Sequence, residues 1–341
     1  MELGIFSFVE NTVNDAGIKR SPTERIHDLL EEAKLADELG LDVYGIGEHH
    51  REEYVASSPA TLLAATAAIT KNIKLTSTVT VLGSDDPVRV YQQFSSVDLI
   101  SKGRAEITVG RGSFIESFPL FGYDLADYET LFEEKLGLLL QINENERVKW
   151  EGKHRPAIND LPVFPRAHQP KLPIWRAVGG TPKSAYITGA LGIPMALAII
   201  GGYPKQFKQM ADIHRQGAND HDQPVPKLSI NSHGLITEDS QSARDIAFPS
   251  FKRMMDKIGS ERGWPPMSRA QFDASTELEG ANFIGSPQEI IDKIMYQHEI
   301  FGHDRFLMQM SVGSVPQDVM LKSIELFATK VAPVIRQELN S

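Results

Sequence analysis

The sequence alternates eight times between a short apolar run and a longer run with helical spacing. Short runs rich in β-branched residues are typical of strands, and longer runs with a 3.6-residue period are typical of helices. The strand-like runs are residues 3–8, 43–46, 74–82, 105–109, 173–178, 195–200, 227–233 and 305–309. Eight strands that are each followed by a helix are the count of a closed (β/α)8 barrel, so we predict an α/β fold of the TIM-barrel type.

Signals at helix starts and in long loops refine this prediction. Ser21 and Ser286 each precede a proline and stand three residues before a glutamate, which is the pattern of a capping box. Loop insertions interrupt the alternation near residues 110–123, 147–171 and 259–285, and the second could hold a small hairpin. An open doubly wound sheet is the alternative fold, but no Gly-x-Gly-x-x-Gly turn follows the first strand. We therefore expect a single barrel domain over residues 1–341.

Composition excludes several kinds of site. The 341 residues include no cysteine, which excludes disulfides, thiolate metal ligands and a cysteine nucleophile. A net charge of −10 argues against nucleic acid as a partner, because phosphate backbones need a basic surface. No signal peptide is evident, and no apolar run approaches the ~20 residues of a membrane span. We expect a cytoplasmic protein without a membrane partner.

The second strand ends in Glu48-His49-His50, and a barrel carries its chemistry at the carboxyl ends of its strands. One imidazole could transfer a proton at a reacting centre, or the pair could be structural, or it could bind a metal. Adjacent side chains on an extended segment point in opposite directions, so both histidines cannot easily bind one ion. We predict that one histidine faces the site and the other the barrel wall, and that the site holds no metal. Glu10, Glu106 and His233 are further candidates without an assigned role.

Two other strand ends favour an anion site. Gly179-Gly180-Thr181-Pro182-Lys183-Ser184 follows the fifth strand, and its glycine pair lets backbone approach a ligand closely. Thr181 can cap the next helix, whose first N–H groups and hydroxyls would bind an anion. Arg111, between two glycines after the fourth strand, can bind a phosphate bidentately. A capped helix and a surface arginine are the plainer alternatives. Because both segments lie at one barrel mouth, the sequence favours a phosphate pocket.

These motifs together resemble the bacterial luciferase-like flavin monooxygenases. The resemblance runs from Met1 to about Tyr203 and is weaker afterwards. Its motifs are Glu48-His49-His50, Pro87-Val88-Arg89, Leu99-Ile100-Ser101-Lys102-Gly103-Arg104 with Val109-Gly110-Arg111-Gly112, Pro173-Ile174-Trp175 with the Gly179–Ser184 turn, and Gly192-Ile193-Pro194-Met195. It implies a (β/α)8 barrel that binds reduced FMN at its mouth and activates O2 through a flavin C4a-peroxide.

The resemblance also implies roles for individual residues. His49 matches the histidine near the reactive edge of the flavin, and Arg111 matches a phosphate-binding arginine. Gly180, Thr181 and Ser184 match phosphate contacts at a helix start, with Gly179 in the same turn. Ser77 and Thr78 fall where this family often has a non-prolyl cis peptide under the flavin ring.

The sequence therefore predicts an FMN-dependent monooxygenase that acts on a small organic substrate with O2. A separate flavin reductase would supply FMNH2, because no nicotinamide fingerprint is present, and the family implies a homodimer. The alternatives are hydride transfer with the deazaflavin F420, non-catalytic flavin binding, and a metal-dependent hydrolase that uses His49, His50 and His233. Residues 259–285 are the candidate lid, with the loop Phe114–Phe121 as a second wall. Since residues 259–285 match nothing in the family, the substrate cannot be inherited from it.

Overall fold

The computed structural model describes residues 1–14, 17–310 and 312–339, and its main sheet is a closed parallel barrel. The eight barrel strands, β1 to β8 in chain order, are Glu2–Ser7, Val43–Ile46, Lys74–Ser77, Ala105–Gly110, Ile174–Val178, Met195–Ala198, Leu228–Ile236 and Arg305–Gln309. Each strand pairs in parallel with the next, and β8 pairs with β1. The predicted (β/α)8 fold is confirmed.

Helices cover the outside of the barrel. The helices that follow the barrel strands are Pro22–Glu38, Pro59–Ile69, Pro87–Ser101, Tyr128–Glu144, Pro182–Ala190, Pro204–Asp220, Ser240–Arg262, Pro287–Phe301, Gln317–Leu326 and Ala332–Glu338. Both predicted capping boxes are present, between Ser21 and Glu24 and between Ser286 and Glu289. Within the described ranges, no helix is long and apolar enough to cross a membrane.

The third strand differs from the prediction of a continuous strand over residues 74–82. β3 ends at Ser77, and the peptide bond between Thr78 and Val79 is cis. A two-residue strand, Thr80–Val81, then pairs with β4, and a 3-10 turn follows at Leu82–Ser84. The prediction was wrong because the β-branched residues continue through the break, so strand propensity alone does not reveal it.

Residues 259–285 are predicted as an irregular insertion, and that prediction is wrong for most of the segment. Helix Ser240–Arg262 extends into it, helix Arg269–Thr276 lies at its centre, and strand Phe283–Gly285 pairs with the end of β7. Phe272 is fully buried in a small apolar cluster outside the barrel. The short helix has only eight residues, too few to show a helical period in the sequence.

The other two insertions lie on the barrel surface. Within residues 110–123, a short helix at Ser117–Phe121 buries Phe118 and exposes Phe121. Within residues 147–171, the strands Arg147–Trp150 and Ile158–Pro162 form an antiparallel hairpin, as the sequence suggested. Only the first of these insertions reaches the barrel mouth, as described below.

The amino-terminal end of the barrel is filled by a buried ion pair. Arg305 donates two hydrogen bonds to Glu106, at 2.7 and 3.1 Å, and its Nε donates to Glu2 at 2.7 Å. Its guanidinium also lies 4.2 Å from the ring centroid of Trp175. Arg305 and Glu106 are 2% and 4% exposed. Glu106, a candidate site residue from sequence, is therefore paired at the opposite end of the barrel from the strand carboxyl ends.

Candidate functional site

The barrel mouth holds a cavity of about 380 Å³, within the ~300–1,000 Å³ range of small-molecule sites. Residues at or just beyond the ends of all eight strands line it. Ala177, Ala196 and Ala198 contribute little side-chain volume on the side of β5 and β6. The cavity lies where (β/α)8 barrels place their chemistry.

His49 enters this cavity from the end of β2, within a collar of aromatic rings. Its ring centroid is 4.5 Å from that of Phe8, 4.2 Å from Tyr54 and 5.4 Å from Phe114. Burial, with smaller contributions from His50 and Arg51, lowers the pKa of His49 to about 3. The imidazole is therefore neutral at physiological pH. Its Nε2 is buried and has no hydrogen-bond partner in the described part of the chain.

His50 and Glu48 belong to the wall beside His49. One carboxylate oxygen of Glu48 accepts from the backbone N–H of Val81 at 2.9 Å, and the other is 2.9 Å from Nε2 of His50. The His50 ring packs edge-on against Phe121, with centroids 5.3 Å apart. Glu48 thus ties the end of β2 to the segment that follows the cis peptide. Among the described residues, no group of three or more His, Cys, Asp or Glu side chains could hold a metal ion.

Arg111 and the turn after β5 lie on the other side of the same cavity. Arg111, Gly179 and Thr181 all line it, and a Cβ atom added at Gly179 would meet nothing within 4 Å. The Arg111 guanidinium lies 5.3 Å from the Tyr128 ring centroid and 3.6 Å from a carboxylate oxygen of Glu129. The structure therefore brings together the two segments from which the sequence predicts a phosphate pocket.

Three other predicted site residues do not line this cavity. Ser77 hydrogen-bonds both the backbone carbonyl and the N–H of Thr108, at 2.9 and 3.1 Å, so its side chain joins β3 to β4. Gly180 has a φ of +129°, which favours glycine. Ser184 is buried, and its N–H donates to the Thr181 carbonyl at 3.0 Å.

The predicted capping role of Thr181 is wrong. It occupies the N-cap position of helix Pro182–Ala190, but its hydroxyl makes no capping hydrogen bond. The Thr181 side chain is exposed beside the cavity and accepts no hydrogen bond from the first N–H groups of the helix. A sequence pattern identifies a cap position, whereas the rotamer of the cap residue depends on its surroundings.

The floor of the cavity holds polar residues that have no role in the sequence-based prediction: Thr108, Asn231, His233 and Gln309. The Gln309 amide donates to Glu10 at 2.5 Å, and Asn231 accepts from Ser229 at 2.8 Å. Alternate residues of the barrel strands point inward, and this period of two is the sequence signal that could have identified them.

A group of charged residues, which we call the Arg51 cluster, joins three segments over His49. It comprises Arg51, Glu53, Glu116 and Glu261. Arg51 donates to Glu261 at 2.5 and 2.9 Å, to Glu116 at 2.6 Å and to Glu53 at 3.3 Å. Its guanidinium lies 4.6 Å from the Phe114 ring centroid. The cluster therefore fastens the end of helix Ser240–Arg262 and the loop after β4 to the loop after β2.

Replacing Arg51 with alanine should loosen this side of the mouth, because Glu116 and Glu261 would lose the cation they share and Glu53 would keep only its pair with Lys257. We expect amide hydrogen exchange in residues 113–121 and 257–264 to accelerate about 10-fold, the equivalent of one charged hydrogen bond. Arg147→Ala is the matched control, since Arg147 pairs with Asp160 in the exposed hairpin. Unchanged exchange in both segments of the Arg51 variant would show that the cluster does not hold the mouth closed.

The closed parallel barrel, with its cavity at the carboxyl ends of the strands, defines the class as a (β/α)8 barrel enzyme. The model of the Luciferase-like monooxygenase family matches residues 1–304. The chain belongs to this family, as the resemblance of its motifs predicts.

Solved structures support the fold along the whole chain. The chain is similar to monooxygenase RslO1 from Streptomyces bottropensis, at 25% identity and a TM-score of 0.85, over 98% of this chain and 99% of that one. The oxygenating constituent of 3,6-diketocamphane monooxygenase from Pseudomonas putida, in complex with FMN, is 20% identical with a TM-score of 0.77 over 98% and 99%. An F420-dependent secondary alcohol dehydrogenase has 16% identity and a TM-score of 0.77 over 98% and 99%. The last two likenesses concern the fold alone.

Proposed function

We propose that this protein is a monooxygenase that uses FMNH2 and O2 to oxidise a small organic substrate. One observation carries the proposal: Arg111 and the Gly179–Thr181 turn line one side of a cavity whose other side holds His49, a buried neutral imidazole whose Nε2 has no partner among the described residues. We assign the first side to an anion. Membership of the luciferase-like monooxygenase family supports the reaction class.

The residues of the cavity fit FMN. Its phosphate dianion would be held by Arg111 and by the turn at the start of helix Pro182–Ala190, where helix N–H groups favour negative charge. Its planar ring would find an apolar surface on Val79. Polar atoms of the ring would find the hydroxyl of Thr78, which is buried without a hydrogen-bond partner in the described residues.

Reduced FMN, when bound, supplies the electrons and the centre for oxygen activation. The protein supplies orientation through the phosphate contacts of Arg111 and the Gly179–Thr181 turn. His49 can hold or move a proton at Nε2, and the absence of charge on its ring lets it accept as well as donate. The aromatic collar and the Arg51 cluster restrict the entry of water on this side of the cavity.

We also propose three features that the sequence led us to expect. A separate flavin reductase supplies FMNH2, residues 1–341 act as one barrel domain, and two copies of the chain form a homodimer. Hydride transfer with F420 is the competing cofactor chemistry, and flavin binding without catalysis is the competing role.

Titration of the protein with FMN, FMNH2 and F420 tests the cofactor, and oxygen consumption across a substrate panel tests catalysis. We expect both FMN forms to bind and F420 to bind at least 10-fold more weakly. With a substrate, the oxygen consumed should appear in an oxidised product. Tight F420 binding without FMN binding would contradict the proposal in favour of hydride transfer. FMN binding with no oxidised product from any substrate would favour the non-catalytic role.

Replacing Arg111 with alanine should weaken FMN binding about 10- to 150-fold, because a charged hydrogen bond contributes about 1.5–3 kcal/mol. Riboflavin is the matched ligand, since it has the same ring but no phosphate, and its affinity should change less than twofold. Isothermal titration of both ligands with wild type and variant measures the difference. An equal loss for FMN and riboflavin would place Arg111 at the ring or in the fold, and an unchanged FMN affinity would refute the phosphate assignment.

A further inference from the structure

The cavity contains a second buried imidazole, His233 on β7, which the proposed function leaves unused. His233 is 6% exposed and packs edge-on against Phe251, with ring centroids 5.7 Å apart. Its Nδ1 is buried and has no hydrogen-bond partner among the described residues. Burial lowers the pKa of His233 to about 4, so the ring is neutral at physiological pH. A buried nitrogen without a partner is costly. Because the His233 ring lines the cavity, a ligand bound there can supply that partner when the ring turns toward it.

His233 lies on a different side of the cavity from the residues assigned to FMN. The strands follow one another around a closed barrel of eight, so β7 stands opposite β3. The phosphate contacts come from β4 and β5, and the ring contacts Thr78 and Val79 follow β3. The space in front of β6, β7 and β8 therefore remains for the substrate.

The lining of this space is uncharged and largely apolar. Ala198, Ile200 and Phe6 contribute apolar surface beside His233. Asn231 and Gln309 already have protein partners. Of the side chains that line the cavity in the described ranges, Arg111 is the only permanent cation, and it lies on the anion-binding side. A carboxylate near β7 would lose its hydration without gaining a counter-ion.

We propose that His233 binds the substrate, through a hydrogen bond from its imidazole to the hydroxyl or carbonyl oxygen of a neutral, mostly apolar molecule. This inference rests on the proposed function, because it assigns the β2–β5 side of the cavity to FMN. His233 thereby selects for substrates with a single uncharged oxygen group, and the apolar lining accepts the remainder of the molecule.

The test compares three probes on the FMN-loaded protein by isothermal titration: 2-naphthol, naphthalene and 2-naphthoate. All three share one ring system. 2-Naphthol adds a neutral hydroxyl, 2-naphthoate adds a carboxylate, and naphthalene has no polar group. We expect 2-naphthol to bind about 5- to 10-fold more tightly than naphthalene, the scale of one net hydrogen bond. 2-Naphthoate should bind most weakly. In His233→Phe the preference for 2-naphthol should fall below twofold, with naphthalene affinity unchanged. His233→Asn, which keeps a hydrogen-bonding side chain, should retain part of it.

His303→Phe is the matched control, because His303 is also a buried neutral imidazole but does not line the cavity. It should keep the wild-type preference. The inference is overturned if His233→Phe keeps the preference, if 2-naphthoate binds best, or if no probe binds. FMN affinity is measured for every variant. Failure of the wild type to bind FMN defeats the proposed function, whereas FMN binding with a preference independent of His233 defeats this inference alone.

Discussion

Replacing His49 with alanine is expected to lower turnover about 10²- to 10⁴-fold, the usual contribution of a positioned proton-transfer group. FMN affinity should stay within about twofold, because the phosphate contacts lie across the cavity. The physical reason is that Nε2 of His49 is a free, buried and neutral nitrogen beside the proposed ring site. Product formation with reductase-supplied FMNH2 and isothermal titration with FMN measure the two effects separately.

Two variants and a pH profile sharpen this test. His49→Gln keeps a side-chain N–H and should recover part of the rate, while the exposed His168→Ala should leave it unchanged. Because the pKa of His49 is about 3, its ring is neutral from pH 5 upward, and the wild-type rate should show no inflection from His49 above that pH. Loss of FMN binding with normal turnover per bound flavin would instead make His49 a structural residue.

Replacing Glu106 with alanine is expected to lower the free energy of unfolding by about 3 kcal/mol, because it leaves Arg305 buried with an incomplete set of partners. The value lies at the lower end of the range for broken buried pairs, since Glu2 still accepts from Arg305. Urea unfolding followed by circular dichroism measures the loss.

Two controls accompany Glu106→Ala: a variant in a surface ion pair, and a double variant that removes both buried charges. Glu144 pairs with Lys171 at the surface, so Glu144→Ala should cost at most about 1 kcal/mol. The double variant Glu106→Leu with Arg305→Met removes both charges and should recover much of the stability. If Glu106→Ala unfolded at the same urea concentration as the wild type, the ion pair would contribute little to the barrel.

The fold was predictable because its signals are local. Apolar runs and capping boxes such as Ser21–Glu24 depend on neighbours a few residues away, and they identified the barrel and its helix starts. The break after Ser77 has no such local signal, since β-branched residues continue through it, and only the family resemblance pointed to a cis peptide there. Helix Arg269–Thr276 is polar and short, and Phe272 anchors it in an apolar cluster formed with other segments. A local pattern does not reveal that contact.

The candidate site was predictable where its residues follow a strand, and not where it depends on contacts between distant segments. In a barrel the chemistry lies at the strand ends, and this rule identified His49, Arg111 and the Gly179–Thr181 turn as candidates. In the structure they line one cavity. The same rule could not reveal the Arg51 cluster, because Arg51 and Glu261 are 210 positions apart in the chain. It also named His233 without a role, since the absence of a partner for Nδ1 is a property of the folded state.

A crystal structure of the protein soaked with FMN tests the central claim most directly. We predict that the phosphate lies within hydrogen-bonding distance of Arg111 and the Gly179–Thr181 turn. We also expect the ring to pack against Val79, with Nε2 of His49 close to one edge. An FMN bound outside the barrel mouth, or one whose phosphate lies beside His49 instead of Arg111, would contradict it.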